Sequence, residues 1–159
     1  MSHLRAISHI ALTCRDLETS VEFYTAALGM TKAFEIRVPE SLAAQGHPFA
    51  PLVGQVAIVY LRVGGRNYLE LFRPLPDAET GRLGPNVLGM GFAHLSLEVE
   101  GLGELVESLR GRGIEIDQEM SLSLADNSYQ AWIRDPDGHR IELMEYTPDS
   151  LQVAHLGDD

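Results

Sequence analysis

The polar and apolar positions of this chain change period in a fixed order, and they do so twice. Residues 7–12, Ile7-Ser8-His9-Ile10-Ala11-Leu12, alternate as a strand does, with His9 on the face of Ile7 and Ala11 and with Ser8, Ile10 and Leu12 on the other. Leu17, Val21 and Tyr24 then fall on one face of a 3.6-period helix, which Asp16 caps and Gly29 stops. At an offset of 85 positions, residues 92–97 repeat the strand with His94 in register with His9, and Leu102, Val106 and Leu109 repeat the helical stripe before Gly113.

Strand-like runs follow each helix, at 33–38, 56–63 and 68–72 and again at 113–116, 130–134 and 141–146. Each half is therefore expected to be a βαβββ module whose last two strands meet in a tight hairpin. Gly64-Gly65-Arg66-Asn67 makes the first turn and Asp135-Pro136-Asp137-Gly138 the second. The fold class expected is α+β, one structural domain with modules at 1–75 and 91–147, a proline-rich linker at 76–90 and a solvated tail at 148–159. The first module is 13 positions longer between its His and its Glu, and the excess lies in 39–55. Gly46, Pro48 and Pro51 make that stretch a long loop or a short extra helix, read as a cover for a site, a subunit contact or a tolerated surface insertion.

Charge removes several partners. Twelve basic residues against 23 acidic ones leave a formal charge of −11, and no Lys/Arg cluster opposes it, so neither nucleic acid nor an anionic membrane surface is an expected partner. A 45% hydrophobic share with 22% charged residues is that of a globular chain rather than a disordered one. Cys14 has no second cysteine to pair with and no base placed beside it, so it is read as a packed thiol. Residues 1–8 lack a basic-then-apolar leader and no window approaches about 18 apolar residues, so the expected location is cytoplasmic.

Four residues then stand out. By alternation Glu70 shares a face with Tyr68 and Phe72, opposite Leu69 and Leu71, while Glu142 shares one with Arg140 and Met144, opposite Ile141 and Leu143. A carboxylate in mid-strand faces either solvent or a polar cleft, and alternation alone does not choose. One His on the first strand and one Glu on the last, in both modules, nevertheless makes a two-fold set: His9, Glu70, His94 and Glu142. Two neutral imidazoles and two carboxylates balance a divalent charge, and N/O ligands of this hardness suit Zn, Ni, Co, Mn or Fe. His3, His47, His139 and His155 lie near termini, in the insertion or in a hairpin, and are expected at the surface.

Residues 4–147 resemble the vicinal oxygen chelate superfamily of glyoxalases, epimerases, ring-cleaving dioxygenases and antibiotic-resistance proteins. The resemblance rests on residues 7–12, on Ser20-Val21-Glu22-Phe23-Tyr24-Thr25-Ala26-Ala27-Leu28-Gly29-Met30, on Tyr68-Leu69-Glu70-Leu71-Phe72, and on Arg134-Asp135-Pro136-Asp137-Gly138-His139-Arg140-Ile141-Glu142-Leu143. It implies paired βαβββ modules forming an incompletely closed mixed β-barrel, with one divalent metal ion per chain on the concave face. His9, Glu70, His94 and Glu142 occupy the family's ligand positions, and relatives that are not enzymes usually lose at least one of them.

The resemblance further implies a glyoxalase I-like lyase or isomerase of a small carbonyl or thioester compound, with proton abstraction next to the carbonyl through an enediolate. Glu142 is the candidate base and Glu70 its alternative or partner. Tyr68, Phe72, Trp132 and Met144 should line the substrate site, and Arg140 is the candidate contact for an anionic substrate. Lactoylglutathione lyases carry an Arg and an Asn where this chain has Thr13 and Pro74, which puts glutathione in doubt. Methylmalonyl-CoA epimerases resemble the stretch 68–75, but their further catalytic carboxylate falls at Ala57. An epimerase-like enzyme, an iron oxygenase and a metal-free, small-molecule-binding homodimer of the resistance type stay as alternatives. A homodimer is expected, and both a site within one chain and a site shared by two remain open.

Overall fold

In a computed structural model, residues 6–78 and 91–155 are described, and the chain divides into two compact units at 82/83. The first unit holds β1 (His9–Thr13), α1 (Leu17–Glu22) running on into a π-turn (Phe23–Ala27), β2 (Thr31–Arg37), β3 (Val56–Gly64) and β4 (Asn67–Phe72). Two 3-10 turns, Glu40–Gln45 and Ala50–Leu52, occupy the insertion. The second unit holds β5 (Leu95–Glu98), α2 (Leu102–Gly111), β6 (Ile116–Leu122), β7 (Tyr129–Arg134), β8 (Arg140–Glu145) and α3 (Leu151–Ala154). Strand order is β1-β4-β3-β2 in one sheet and β5-β8-β7-β6 in the other, the first pair of each parallel and the rest antiparallel. The fold class is α+β, with the βαβββ unit present twice, as the periodicity predicts.

Each helix covers the apolar face of its own sheet. Leu12, Leu17, Tyr24, Val59, Leu61, Leu69 and Leu71 make the first core, and Leu95, Leu97, Leu102, Val106, Leu109, Ala131, Ile133, Ile141 and Leu143 the second. Burying each such large side chain contributes roughly 1.5–3 kcal/mol, enough in sum to force one register, because a one-residue slip would turn every one of them outward. The helix ends follow local chemistry. Asp16 accepts from the Thr19 N–H at 2.7 Å, which holds its carboxyl below the usual carboxylate range, and Gly29 and Gly113 adopt the left-handed φ of 70° and 77° that a helix stop requires.

Three elements depart from expectation. The sixth strand runs over Ile116–Leu122 rather than ending at 116, because an edge strand with exposed Asp117, Gln118, Glu119, Met120, Ser121 and Leu122 buries no alternating face that a sequence pattern could reveal. The stretch 148–155 is not a plain solvated tail. Ser150 is fully buried and its hydroxyl donates to the Asn127 carbonyl at 3.0 Å, the Thr147 hydroxyl donates to the same carbonyl at 2.7 Å, and α3 follows. The insertion, finally, builds a satellite core of Val38, Leu52, Ala57 and Ile58, against which Leu42, Phe49, Val53, Tyr60 and Phe72 pack. Its two ends are pinned by Val38 and Gly54, whose N–H groups donate to Gln55 O and Val38 O at 3.0 and 2.9 Å. Most of the linker at 76–90, and residues 156–159 of the tail, lie outside the described residues.

Candidate functional site

Parallel pairing of β1 with β4 sets His9 opposite Tyr68 and Ala11 opposite Glu70, so His9 and Glu70 share one face one step apart along the strands. Their side chains meet: His9 Nε2 lies 3.4 Å from Glu70 Oε2. In the second unit His94 precedes β5 by one residue, and its Nε2 lies 3.6 Å from Glu142 Oε2. The two pairs match in chemistry and in burial. Glu70 and Glu142 are 6% and 7% exposed, while the imidazoles are more open.

Two ligands held by one ion at about 2.0–2.2 Å stand roughly 3 to 3.6 Å apart, over bond angles from right-angled to tetrahedral. The observed His–Glu spacings lie within that span, and buried carboxylates beside imidazole nitrogens call for a counter-charge. Each unit therefore presents a pair of donors whose type and spacing fit a divalent cation of the zinc-to-iron group.

Around Glu70 the face is aromatic. Antiparallel pairing of β3 with β4 puts Tyr60 directly opposite Glu70. Interaction with the Glu70 carboxylate and partial burial push the Tyr60 phenol up to about 12. Phe34 stacks on Tyr60 with ring centroids 4.3 Å apart, and the rings of His9 and Tyr68 meet it edge-on with centroids 5.8 and 6.1 Å away. The Arg62 guanidinium lies 5.8 Å from the centre of the Tyr68 ring.

Around Glu142 the corresponding position, by register, is Trp132. Its ring meets His94 edge-on at 5.0 Å, carries the Arg140 guanidinium 3.7 Å above it, and donates its indole N–H to Gln130 Oε1 at 3.2 Å. A guanidinium seated on an indole is held by cation–π attraction and keeps N–H groups for an anion. Arg134 is already engaged, with its Nε 2.7 Å from Asp117 Oδ2.

Of the other expected lining residues, Tyr68 is half-buried beside Glu70. Met144 lies two residues beyond Glu142 on the same face, with Gln152 Nε2 3.8 Å from its sulfur. Phe72 stacks on Phe49 at 5.9 Å and belongs to the insertion's satellite core, so packing accounts for it. Cys14 is buried, as read. Tyr60 and Phe34 are additions that alternation alone did not mark. The signal that finds Tyr60 is the tight Gly65-Arg66 turn, which fixes the β3–β4 register.

His139 is a correction: it is 8% exposed rather than on the surface. Its Nδ1 lies 2.8 Å from Asp135 Oδ2, and Asp135 Oδ1 accepts from the backbone N–H of Asp137 and of His139 at 3.0 and 2.8 Å. Among the described residues, ligand atoms of Asp135, Asp137 and His139 fall within 4.8 Å of one another. The cluster staples the Asp-Pro-Asp-Gly turn that delivers Arg140 and Glu142, Asp135 bonding the backbone of that turn and the His139 imidazole. Among the described residues no helix is long and apolar enough to cross a membrane.

Comparison with known proteins bears on the family and the fold. The chain is 29% identical over 140 residues to lactoylglutathione lyase of Escherichia coli O157:H7, covering 86% of this chain and 90% of that one. It is 29% identical over 154 residues to glyoxylase I 4 of Arabidopsis thaliana, covering 97% and 77%. Against the Arabidopsis lactoylglutathione lyase GLX1 it is 23% identical, and it spans 45% of that protein's length. Among solved structures, a glyoxalase family protein from Enterococcus faecalis superposes with a TM-score of 0.66 at 23% identity, over 91% of this chain and all of that one, a likeness of fold. The sequence profile of one family matches residues 6–143, and on that span the chain belongs to the Glyoxalase/Bleomycin resistance protein/Dioxygenase superfamily.

Proposed function

We propose that the protein is a divalent-metal-dependent lyase or isomerase of glyoxalase type, with His9, Glu70, His94 and Glu142 as the donor set, whichever chain supplies each half. The observation that carries this reading is the His–Glu pair, formed independently in both modules at 3.4 and 3.6 Å with its carboxylate buried. A bound divalent ion supplies Lewis acidity, which makes a proton next to a carbonyl removable by a carboxylate. Glu142 takes that proton and returns it to the neighbouring carbon, so the reaction is an internal proton transfer with no co-reactant. Tyr68 and Trp132 flank the two pairs as apolar walls, and Arg140, braced on Trp132, meets an anionic group of the substrate.

The relatives named as lactoylglutathione lyases support a thiol adduct of a 2-oxoaldehyde as substrate class. Thr13 and Pro74, standing where those enzymes place an Arg and an Asn for glutathione, favour a different thiol or a simpler carbonyl compound. The epimerase-like reading loses support, because Ala57 is buried in the satellite core and offers no carboxylate.

The test is metal per chain by elemental analysis, as purified and after stripping and reloading with nickel, zinc, cobalt, manganese or iron. A screen of 2-oxoaldehyde–thiol adducts and acyl thioesters follows. About one ion per chain is expected, and Glu142→Gln should fold normally but turn over about 10²- to 10⁴-fold more slowly, the usual contribution of a positioned base. Failure to load any of these metals would replace this reading with that of a metal-free ligand-binding protein.

A further inference from the structure

Three arginines lie on the hairpin strands beside the His–Glu pairs, and their surroundings differ. Arg134 is engaged twice, by Asp117 Oδ2 at 2.7 Å and by the Gly138 carbonyl, to which it donates at 3.0 Å. Arg62 is exposed, 5.8 Å from the centre of the Tyr68 ring. Arg140 is partly buried, its guanidinium sits 3.7 Å above Trp132, and among the described residues no carboxylate pairs with it. Partial burial of a cation without a counter-charge is costly, and cation–π attraction offsets only part of that cost. A planar guanidinium resting on a ring keeps its N–H edges for a further partner. The platform is also tied to the candidate site. Trp132 stands directly opposite Glu142, its ring is fixed by the N–H that donates to Gln130 Oε1 at 3.2 Å, and it meets His94 edge-on at 5.0 Å. Imidazole and guanidinium are therefore no farther apart than those two ring contacts, 5.0 and 3.7 Å, laid end to end. Along β8, Arg140 lies two residues from Glu142, about 6–7 Å.

Charge selects the kind of anion. Arg140 is one cation, the charge of Arg134 is already met by Asp117, and Glu142 stands close by in a chain of formal charge −11. One guanidinium neutralises a monoanion and leaves a dianion such as phosphate half compensated. Its planar fork of N–H groups also matches a carboxylate with two parallel hydrogen bonds. We infer that the Arg140–Trp132 platform reads a single carboxylate, and that the thiol partner of the substrate is a small mercapto acid whose carboxylate lies close to its sulfur. The inference rests on the proposed lyase reading and deepens it by naming the thiol. Thr13 and Pro74 offer neither the Arg nor the Asn that glutathione calls for, and Arg140 supplies one anchor on β8 instead.

The test uses the whole chain, stripped of metal. Trp132 is its one tryptophan, so intrinsic fluorescence reads the platform directly. At constant ionic strength, which holds screening fixed, the protein is titrated with methylthiopropionate, with the neutral amide of the same acid, with S-methylglutathione and with inorganic phosphate. The acid should bind at least about tenfold more tightly than its amide, the usual effect of a charge-assisted pair, and more tightly than S-methylglutathione or phosphate. Arg140→Met should abolish the preference for acid over amide, and Arg140→Lys, which keeps the charge and loses the fork, should retain only part of it. Circular dichroism checks that both variants fold; if Arg140→Met does not, the acid-to-amide ratio of the parent and of Arg140→Lys decides. Equal response to acid and amide, or response to neither, overturns the carboxylate subsite. Tighter binding of phosphate or S-methylglutathione overturns the assignment to a small mercapto acid. These titrations need no metal, so a chain that fails to load any metal overturns the lyase reading alone, a distinct result.

Discussion

Glu142 and Glu145 sit three residues apart on β8 and therefore on opposite faces of the same sheet, so exchanging each in turn separates the site from the scaffold. Glu145 points to the helix side. Its two carboxylate oxygens accept from the N–H groups of Gly101 and Leu102 at 2.8 and 3.1 Å, and so cap α2, whose N-cap residue, Gly101, is left-handed and has no side chain to do it. Loss of a side-chain cap costs about 0.5–2 kcal/mol, and loss of a negative charge at a helix N-terminus adds about 0.3–1 kcal/mol. Because Glu145 is only partly buried and solvent screens it, Glu145→Ala should lose about 1–2 kcal/mol. For a chain of this size that is a fall of about 2–8 °C in Tm. Thermal or urea unfolding of the metal-free protein reads it, and metal loading, measured beside it, should stay at the parent level. Glu142→Gln should show the reverse, with unfolding nearly unchanged and turnover lost. A Glu145→Ala protein as stable as the parent within about 0.3 kcal/mol, below any ordinary cap effect, or one that loses metal as Glu142→Gln loses turnover, would refute the two-faced account of β8.

Two further outcomes follow from packing and from charge. Leu52→Ala removes the most buried leucine of the insertion and should cost about 2–5 kcal/mol, opening residues 39–55 to limited proteolysis well before the sheets unfold; resistance equal to the parent's would mean that the satellite core does not anchor the insertion. Hydrogen bonds from Ser123, Gln152 and Ser128 lower the Asp126 carboxyl from 3.8 to about 2. Since the folded value lies below the unfolded one, the stability it lends is complete above about pH 4 and disappears as pH falls toward 2. Amide exchange at Leu151, whose N–H donates to Asp126 O at 2.9 Å, should accelerate over that window in the parent and lose that dependence in Asp126→Ala; a pH-independent parent would contradict the clamp.

By itself the sequence determined what repeats over a few residues. Alternation and the 3.6-residue stripe, occurring twice at the same offset, specify two βαβββ modules, because burying one face is a local requirement that every residue of an element must meet. The same logic set Glu70 and Glu142 opposite the buried leucines of their own strands, and the parallel pairing of first and last strand then brought His9 to Glu70 and His94 to Glu142. The tertiary structure decided what depends on partners distant along the chain. The β3–β4 register chose Tyr60 for Glu70, the packing of Arg140 onto Trp132 gave that residue its place, and Glu145 supplied the cap that Gly101 lacks. It also turned His139 inward onto Asp135, where a hairpin sequence suggests exposure. β6 was hidden for a complementary reason: an edge strand that buries no face is held by backbone hydrogen bonds to its neighbour, and those bonds are made by every residue alike.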